Sequence, residues 1–345
     1  MSENPARRAL SIWSFAVLLL GNTPEKVPDA LAPYVVDGEL KTDDFGWMRG
    51  QFDGADDKQK ADSKTIQDWL RQCLVNAKTK ALDNLKALGI ANAKLDGVAI
   101  GPTLCGSLAS FNSMAQTDNK NWEEFVVNER KARELFAAYQ FGAKTAVQHM
   151  PYEKAWGNEE AWDLLGATVM DQVNRNGSRW AYNVKTNTLD PALLPYLAAH
   201  FMNAGTSTDR KNTVFLKKLV EKKGWPTIPM VGERASSNAW LLVQHADHDP
   251  AFQLTALRLM EPLVSKGEVR KGDYAYLYDR IMLKLSGKQR YGTQVECVKG
   301  KWQPRPLEKD VAVSSDALDT VRKSVELESI TKYLGGFQKR SPNCI

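Results

Sequence analysis

The chain reads as a mainly α protein in two helical lobes, with one short β-hairpin in the C-terminal lobe. Three observations predict this. Apolar residues recur at three- and four-residue steps along most of the sequence. Capping residues precede these stretches, and glycine follows several of them. Arg290 to Gln303 (RYGTQVECVKGKWQ) is the clearest β-hairpin in the chain, with strand-forming residues on both sides of a two-residue turn, Lys299-Gly300. A length of 345 residues, 43% hydrophobic and 25% charged, allows two ordinary domains with a sizeable core. The reading divides them into an N-terminal segment (1–24), a helical lobe (25–155) and a C-terminal domain (156–338).

Residues 22–60, rich in Pro, Gly and Asp, read as an extended lead-in containing one packed turn, Asp44 to Phe52. A helix is predicted over Ser63 to Leu88, from Ile66, Trp69, Leu70, Cys73 and Leu74, with Ser63 as cap and Gly89 as stop. Ala99 to Phe111 reads as a loop or short strand, and Asn112 to Asn121 as a polar linker. A second helix starts near Trp122, its face marked by Phe125, Val126, Phe136 and Tyr139. Pro151 to Asn158 is the boundary between lobes.

The second half opens with a helix over Glu159 to Asn174. A turn at Asn187 to Pro195 leads to a short helix, and a separate helix covers Asn212 to Lys223, stopped at Gly224. GWPTIPMVGE (Gly224 to Glu233) reads as extended, because two prolines break it up. Helices follow at Ser236 to His248, from the Asp249-Pro250 start signal through Met260, and at Asp273 to Leu285. A final helix is predicted over Asp316 to Leu334.

Arg7 and Arg8 precede an apolar run, Ala9 to Leu20, too short to span a membrane but matching the core of a secretory signal. Either this segment exports the chain to a periplasmic setting, or it is an apolar helix of a cytoplasmic protein. The four cysteines, Cys73, Cys105, Cys297 and Cys344, lack CxxC spacing, which argues against a thiolate zinc site. If exported, the chain can form two disulfides, with Cys73 and Cys105 as the favoured pair. The net charge of +5, with no basic stretch interleaved with aromatics, argues against a nucleic-acid partner. Oligomeric state leaves no mark in the sequence.

The ordered segments GWPTIPMVGE, WLLVQHADHDPAFQ, AYLYDR and QRYGTQ resemble a bacterial domain family catalogued as being of unknown function. The resemblance covers roughly residues 160 to 335 and implies a mainly helical domain with a small hairpin. It implies no chemistry. Pro306-Leu307 stands where the family usually shows Pro-Ile.

QHADHDP, Gln244 to Pro250, is the strongest candidate for function, since it holds two of only four histidines beside two aspartates, Asp247 and Asp249, which bracket His248. At i and i+3 on a helix, His245 and His248 share a face. They can ligate a divalent metal, though helical zinc pairs favour i, i+4. His245 can instead act as acid or base toward a small polar ligand, or the segment can be a structural helix junction. In the ligand reading, His245, Asp247 and Asp279 are catalytic, with Asp279 orienting His245. Arg280 holds an anionic group, Trp225 supplies an apolar wall, and Gln289, Tyr291, Thr293 and Gln294 supply neutral hydrogen bonds. Asp171 and Arg175, one turn apart, read as a surface ion pair. Missing GxSxG, Walker A and GxGxxG motifs argue against a serine hydrolase elbow and nucleotide-driven chemistry. A hydrolase or lyase acting on a small polar molecule and a non-catalytic envelope binding or interaction protein are the two expectations.

Overall fold

The structure is a computed structural model that describes residues 26–95, 101, 103–116, 120–149, 158–182, 188–341 and 344. The apolar run Ala9 to Leu20 and the boundary residues 151–157 lie outside the described residues.

The lead-in is folded rather than simply extended. Strands β1 (Val35–Val36) and β2 (Glu39–Leu40) form a small antiparallel ladder, turned at Asp37 and Gly38. A 3-10 helix at Gly46–Gln51 then buries Trp47 and Met48. Gly50 there touches the next helix so closely that a Cβ would fall 2.1 Å from the Gln59 carbonyl oxygen.

Helix α1 (Asp57–Ala87) begins ahead of Ser63, because Asp56 and Gln59 form a reciprocal capping box. Ser63 is buried inside the helix instead. Helix α2 (Thr103–Asn112) replaces the loop or strand expected around Cys105. Leu104, Cys105, Leu108 and Phe111 are buried at helical spacing, and a Cys73–Cys105 disulfide fastens α2 to α1. Helix α3 (Trp122–Gln148) starts as predicted, capped by the Asn121 side chain.

Helix α4 (Glu159–Tyr182) runs past Asn174, and α5 (Leu194–Lys223) is one helix where two were expected. Its Asn203–Thr208 stretch is a poor helix former on its own. Packing against α4 overrides that preference. The two helices run antiparallel, as contacts from Glu160 to Lys223, Asn174 to Thr208 and Gly177 to Phe201 show.

GWPTIPMVGE contains a single helical turn, α6 (Ile228–Val231), which tolerates Pro229 in its first turn, where no amide partner is lost. Helices α7 (Glu233–Gln244), α8 (Pro250–Val264) and α9 (Lys271–Ser286) follow. The hairpin pairs β3 (Val295–Val298) with β4 (Lys301–Pro304) around Lys299 and Gly300, both at positive φ. It is shorter than predicted, since residues 290–294 form a loop. The Asp279 carboxylate accepts from the amides of Arg290, Tyr291 and Thr293, and amides converging on one acceptor cannot alternate as in a strand. The last helix is two, α10 (Ser315–Ser324) and α11 (Ile330–Arg340), separated at Glu326 with φ 61° and restarted by the Ser329 cap.

Two large apolar cores result. One gathers Phe45, Trp47, Phe111, Phe125 and Phe201; the other gathers Leu216, Trp225, Leu242, Phe252, Leu277 and Ile281. Helices α1, α4 and α5 contribute to both cores. The polar middle of α4 and α5 therefore lies at the seam between them. A second disulfide joins Cys297 to Cys344, so all four cysteines are paired. Among the described residues no helix is long and apolar enough to cross a membrane.

Candidate functional site

The QHADHDP segment is a tight turn between helices rather than helix throughout. His245 is the C-cap of α7, and Asp249 caps α8 by accepting the Phe252 amide at 3.0 Å. His245 and His248 therefore share no helical face. Successive polar side chains leave the turn in different directions. His245 meets α4, Asp247 meets α9, and His248 lines a cavity beside α1 and α2.

His245 completes a quartet at the seam. Its Nδ1 lies 2.8 Å from Asp171 Oδ1 on α4. Arg175, one turn along α4, donates from Nε to Asp171 at 3.1 Å and from Nη2 to both oxygens of Asp209 on α5, at 2.7 and 2.9 Å. The Asp171 side chain is 1% exposed and that of Arg175 29%, so the surface ion pair read from the sequence is in fact an interior one. Gln172 adds a further hydrogen bond to Asp171 at 2.7 Å.

The two carboxylates are pushed apart in acidity. Burial favours a protonated Asp171, but the hydrogen bond and charge of His245, then Arg175, outweigh it and hold Asp171 at about 2. Burial dominates at Asp209; with the neighbouring Asp171 it prevails over Arg175 and pushes the carboxyl up to about 8. Burial lowers the His245 pKa, Arg175 and Arg280 add to that, and Asp171 only partly offsets them. At neutral pH the quartet holds one carboxylate, one carboxylic acid, one guanidinium and a neutral imidazole. Arg175 Nε stands 3.1 Å from both His245 Nδ1 and Asp171 Oδ1. Because Asp171 is charged and lies closer to Nδ1, at 2.8 Å, the ring proton is assigned to Nδ1 and the Arg175 hydrogen to the carboxylate. This leaves Nε2 with its lone pair.

Asp171, Asp209 and His245 offer ligand atoms all within 4.8 Å of one another, a donor set that suits a divalent cation. Arg175 already bonds both acidic side chains, and a metal would have to displace it. His248 is not part of this set, so the structure does not bring together the His245–His248 metal pair proposed from sequence.

The other sequence candidates are placed as follows. Asp247 ion-pairs with Arg280 and Lys284 and accepts from Gln253, which ties the turn to α8 and α9. Burial raises the Asp247 pKa, but these two cations more than offset it and hold the carboxyl well below its usual range. Arg280 also acts electrostatically on His245. Asp279 is fully buried and serves the 290–293 loop, so Asp171 orients His245 and Asp279 does not. Gln289 is fully buried, donating to the Gln294 and Arg305 carbonyls and accepting the Gln294 amide. Thr293 is buried, and its carbonyl accepts from Tyr333. The Tyr291 carbonyl accepts from the buried Arg322, and Gln294 reaches Thr293 Oγ1 at 3.3 Å. These four residues build the loop between α9 and the hairpin. Trp225 is 4% exposed and packs in the second core.

Sequence reasoning missed Asp209 and the interior role of Asp171. A signal existed. Ala161, Leu164, Thr168, Asp171 and Arg175 step along one stripe of α4, and Leu197, Phe201, Gly205 and Asp209 do so on α5. Polar residues continuing an apolar stripe are the mark of a buried polar cluster.

No curated protein and no solved structure matches the chain. Asp209 and His245 fall within the one matched family, whereas Asp171 and Arg175 precede the match. Residues 187–338, the C-terminal part of the chain, match a family described as being of unknown function (DUF6624).

Proposed function

We propose that the quartet is an acid–base site for a small polar molecule, with hydrolase or lyase chemistry. His245 Nε2 acts as the base, held by Asp171, and Asp209 is the proton donor. The observation that carries this reading is the geometry of the quartet, in which Arg175 bridges Asp171 and Asp209 while His245 Nδ1 lies 2.8 Å from Asp171. These contacts and burial set the two neighbouring carboxyls apart, with Asp171 held low and Asp209 pushed up. Such a separation lets one group give a proton while the other stays charged. The His245 side chain is 16% exposed and that of Asp209 18%, so neither side chain is fully sealed from solvent.

A second reading, a non-catalytic envelope binding or interaction protein, draws on Asp247 and Asp249, whose contacts join helices as a structural junction would. Turnover separates the two. The wild type, His245→Ala and Asp209→Asn are assayed against chromogenic esters, anilides, glycosides and phosphate esters. The acid–base reading expects wild-type turnover in one class, lost in both variants with the fold retained. Turnover unaffected by either change, or absent from all four classes, supports the junction.

The pairing of all four cysteines supports an oxidising, exported setting. Thiol titration of unreduced protein from its native host, with sequencing of the mature N-terminus, tests this. Two disulfides and a cleaved N-terminus are expected, and four free thiols would contradict export.

A further inference from the structure

A cleft of ≈ 440 Å³ opens between the folded lead-in and the starts of α1 and α3. The lead-in lines it with Tyr34, Gly46, Trp47 and Arg49, and Trp122 closes one side from the first turn of α3. A space of this size takes a ligand of about one or two sugar rings.

The charged side chains of the lining are already matched. Lys58 pairs with Asp62 at 2.6 Å, and Asp56 caps α1 by accepting the Gln59 amide at 2.8 Å. The Arg49 guanidinium donates to the Phe52 and Asp53 carbonyls and lies 5.6 Å over the Trp122 ring. Arg49 and Lys58 balance Asp56 and Asp62, so the cleft presents no net charge to draw in an ion.

Uncharged hydrogen-bonding groups are what remain unused. The Tyr34 hydroxyl makes no hydrogen bond among the described residues. Burial, followed by the charges of Asp44 and Asp62, raises its pKa, so it keeps its proton. The side-chain NH2 of Gln59 has no acceptor among the described residues, since only its oxygen is engaged, by the Asp56 amide. Trp47 is 3% exposed, and its Nε1 is buried without an acceptor. A buried N–H left in that state is costly, and an oxygen that reaches it relieves the cost. The half-buried Tyr34 ring packs on no other aromatic ring among the described residues, which leaves apolar carbon facing the cleft. Gly46 makes room for this side chain, because a Cβ there would lie 2.6 Å from the Tyr34 hydroxyl.

We propose that this cleft binds a neutral saccharide, whose hydroxyl and ring oxygens accept from Tyr34, Gln59 and Trp47 and whose C–H face rests on the Tyr34 ring. A sugar is rich in acceptors, uncharged, and apolar on one face, and the unused groups ask for each of these properties. The inference rests on residues outside the quartet and does not require acid–base chemistry at His245.

The test titrates the full chain with glucose, galactose, N-acetylglucosamine, maltose and chitobiose, followed by calorimetry, with glycylglycine and inorganic phosphate as charged comparisons. At least one sugar should bind saturably, one per chain, with an affinity changed less than about twofold by added salt. A disaccharide tighter than its monosaccharide identifies a glycan end as the ligand, and equal binding identifies a free sugar. Tyr34→Phe should weaken that sugar by about five- to tenfold and leave the melting temperature unchanged, because the hydroxyl has no partner to lose in the free protein. Gly46→Ala, which pushes the Tyr34 hydroxyl aside, should weaken it at least as much. Saturable binding by none of the five sugars, glycylglycine or phosphate binding more tightly than every sugar, or a Tyr34→Phe variant that binds as the wild type does each overturns the proposal. Should Gly46→Ala fail to fold, the wild-type titrations and Tyr34→Phe still decide.

Discussion

His245 Nδ1 lies 2.8 Å from Asp171 Oδ1 and 3.1 Å from Arg175 Nε, binding the end of α7 to the middle of α4. With Asp171 charged, the shorter contact orients the ring and places its proton on Nδ1, while Arg175 Nε gives its hydrogen to the carboxylate at 3.1 Å. That contact also places His245 next to Arg175, which in turn holds Asp209 on α5. Three helices therefore meet at a polar seam between two apolar cores, and each consequence below follows from that placement.

Asp209 makes stability depend on pH in a defined direction. In the unfolded chain its carboxyl titrates near 3.8, whereas in the folded protein it titrates at about 8. Between these values the folded state holds a proton that the unfolded state lacks, so this contribution to stability falls as pH rises through the window. Between pH 6.5 and about 8 the wild type should lose stability relative to Asp209→Asn, and the difference should level off above that. His245 and Asp171 are present in both proteins, so their own titrations are common to both profiles. Urea midpoints of both proteins across the range provide the check; parallel pH profiles would remove the proton from Asp209.

The spacing of α4 and α5 depends on Gly177. A Cβ there would lie 2.2 Å from the fully buried Phe201 ring, which has no room to move aside. Gly177→Ala should cost about 2–3 kcal/mol in urea unfolding despite the better helix propensity of alanine. Gly166→Ala on the same helix meets nothing within 4 Å and should be neutral or stabilising by up to about 1 kcal/mol. Equal effects at the two positions would contradict the packing described.

Asp279 is expected to matter for folding and not for turnover. Asp279→Ala strips the acceptor from the amides of Arg290, Tyr291 and Thr293. The loss should reach about 3 kcal/mol, with Asp279→Asn intermediate because one carbonyl acceptor remains. Denaturant unfolding measures it. A cost within about 0.5 kcal/mol would mean that the loop holds itself.

Much of the helical architecture was legible because it rests on local rules. The Asp249-Pro250 start, the Gly224 stop and the Lys299-Gly300 turn all act over a few residues, and all stand where expected. Errors arose where distant contacts decide. The weak Asn203–Thr208 stretch is helical because α4 lies against it, and Cys105 is helical because its neighbours are buried. Residues 290–294 looked like strand until Asp279 claimed their amides. The site was half legible: the histidine motif pointed to the correct turn, but the partner of His245 came from Asp171, 74 residues away. No spacing rule links those positions. Only the antiparallel packing of α4 and α5, with α7 across them, does.

Nitrogen-15 NMR of the His245 ring tests the central claim most directly. At pH 7 the ring should be neutral, protonated on Nδ1 and bare on Nε2, with a titration midpoint below the ordinary 6.5. A charged ring at pH 7, or a proton on Nε2, would leave the site without a base and contradict the account.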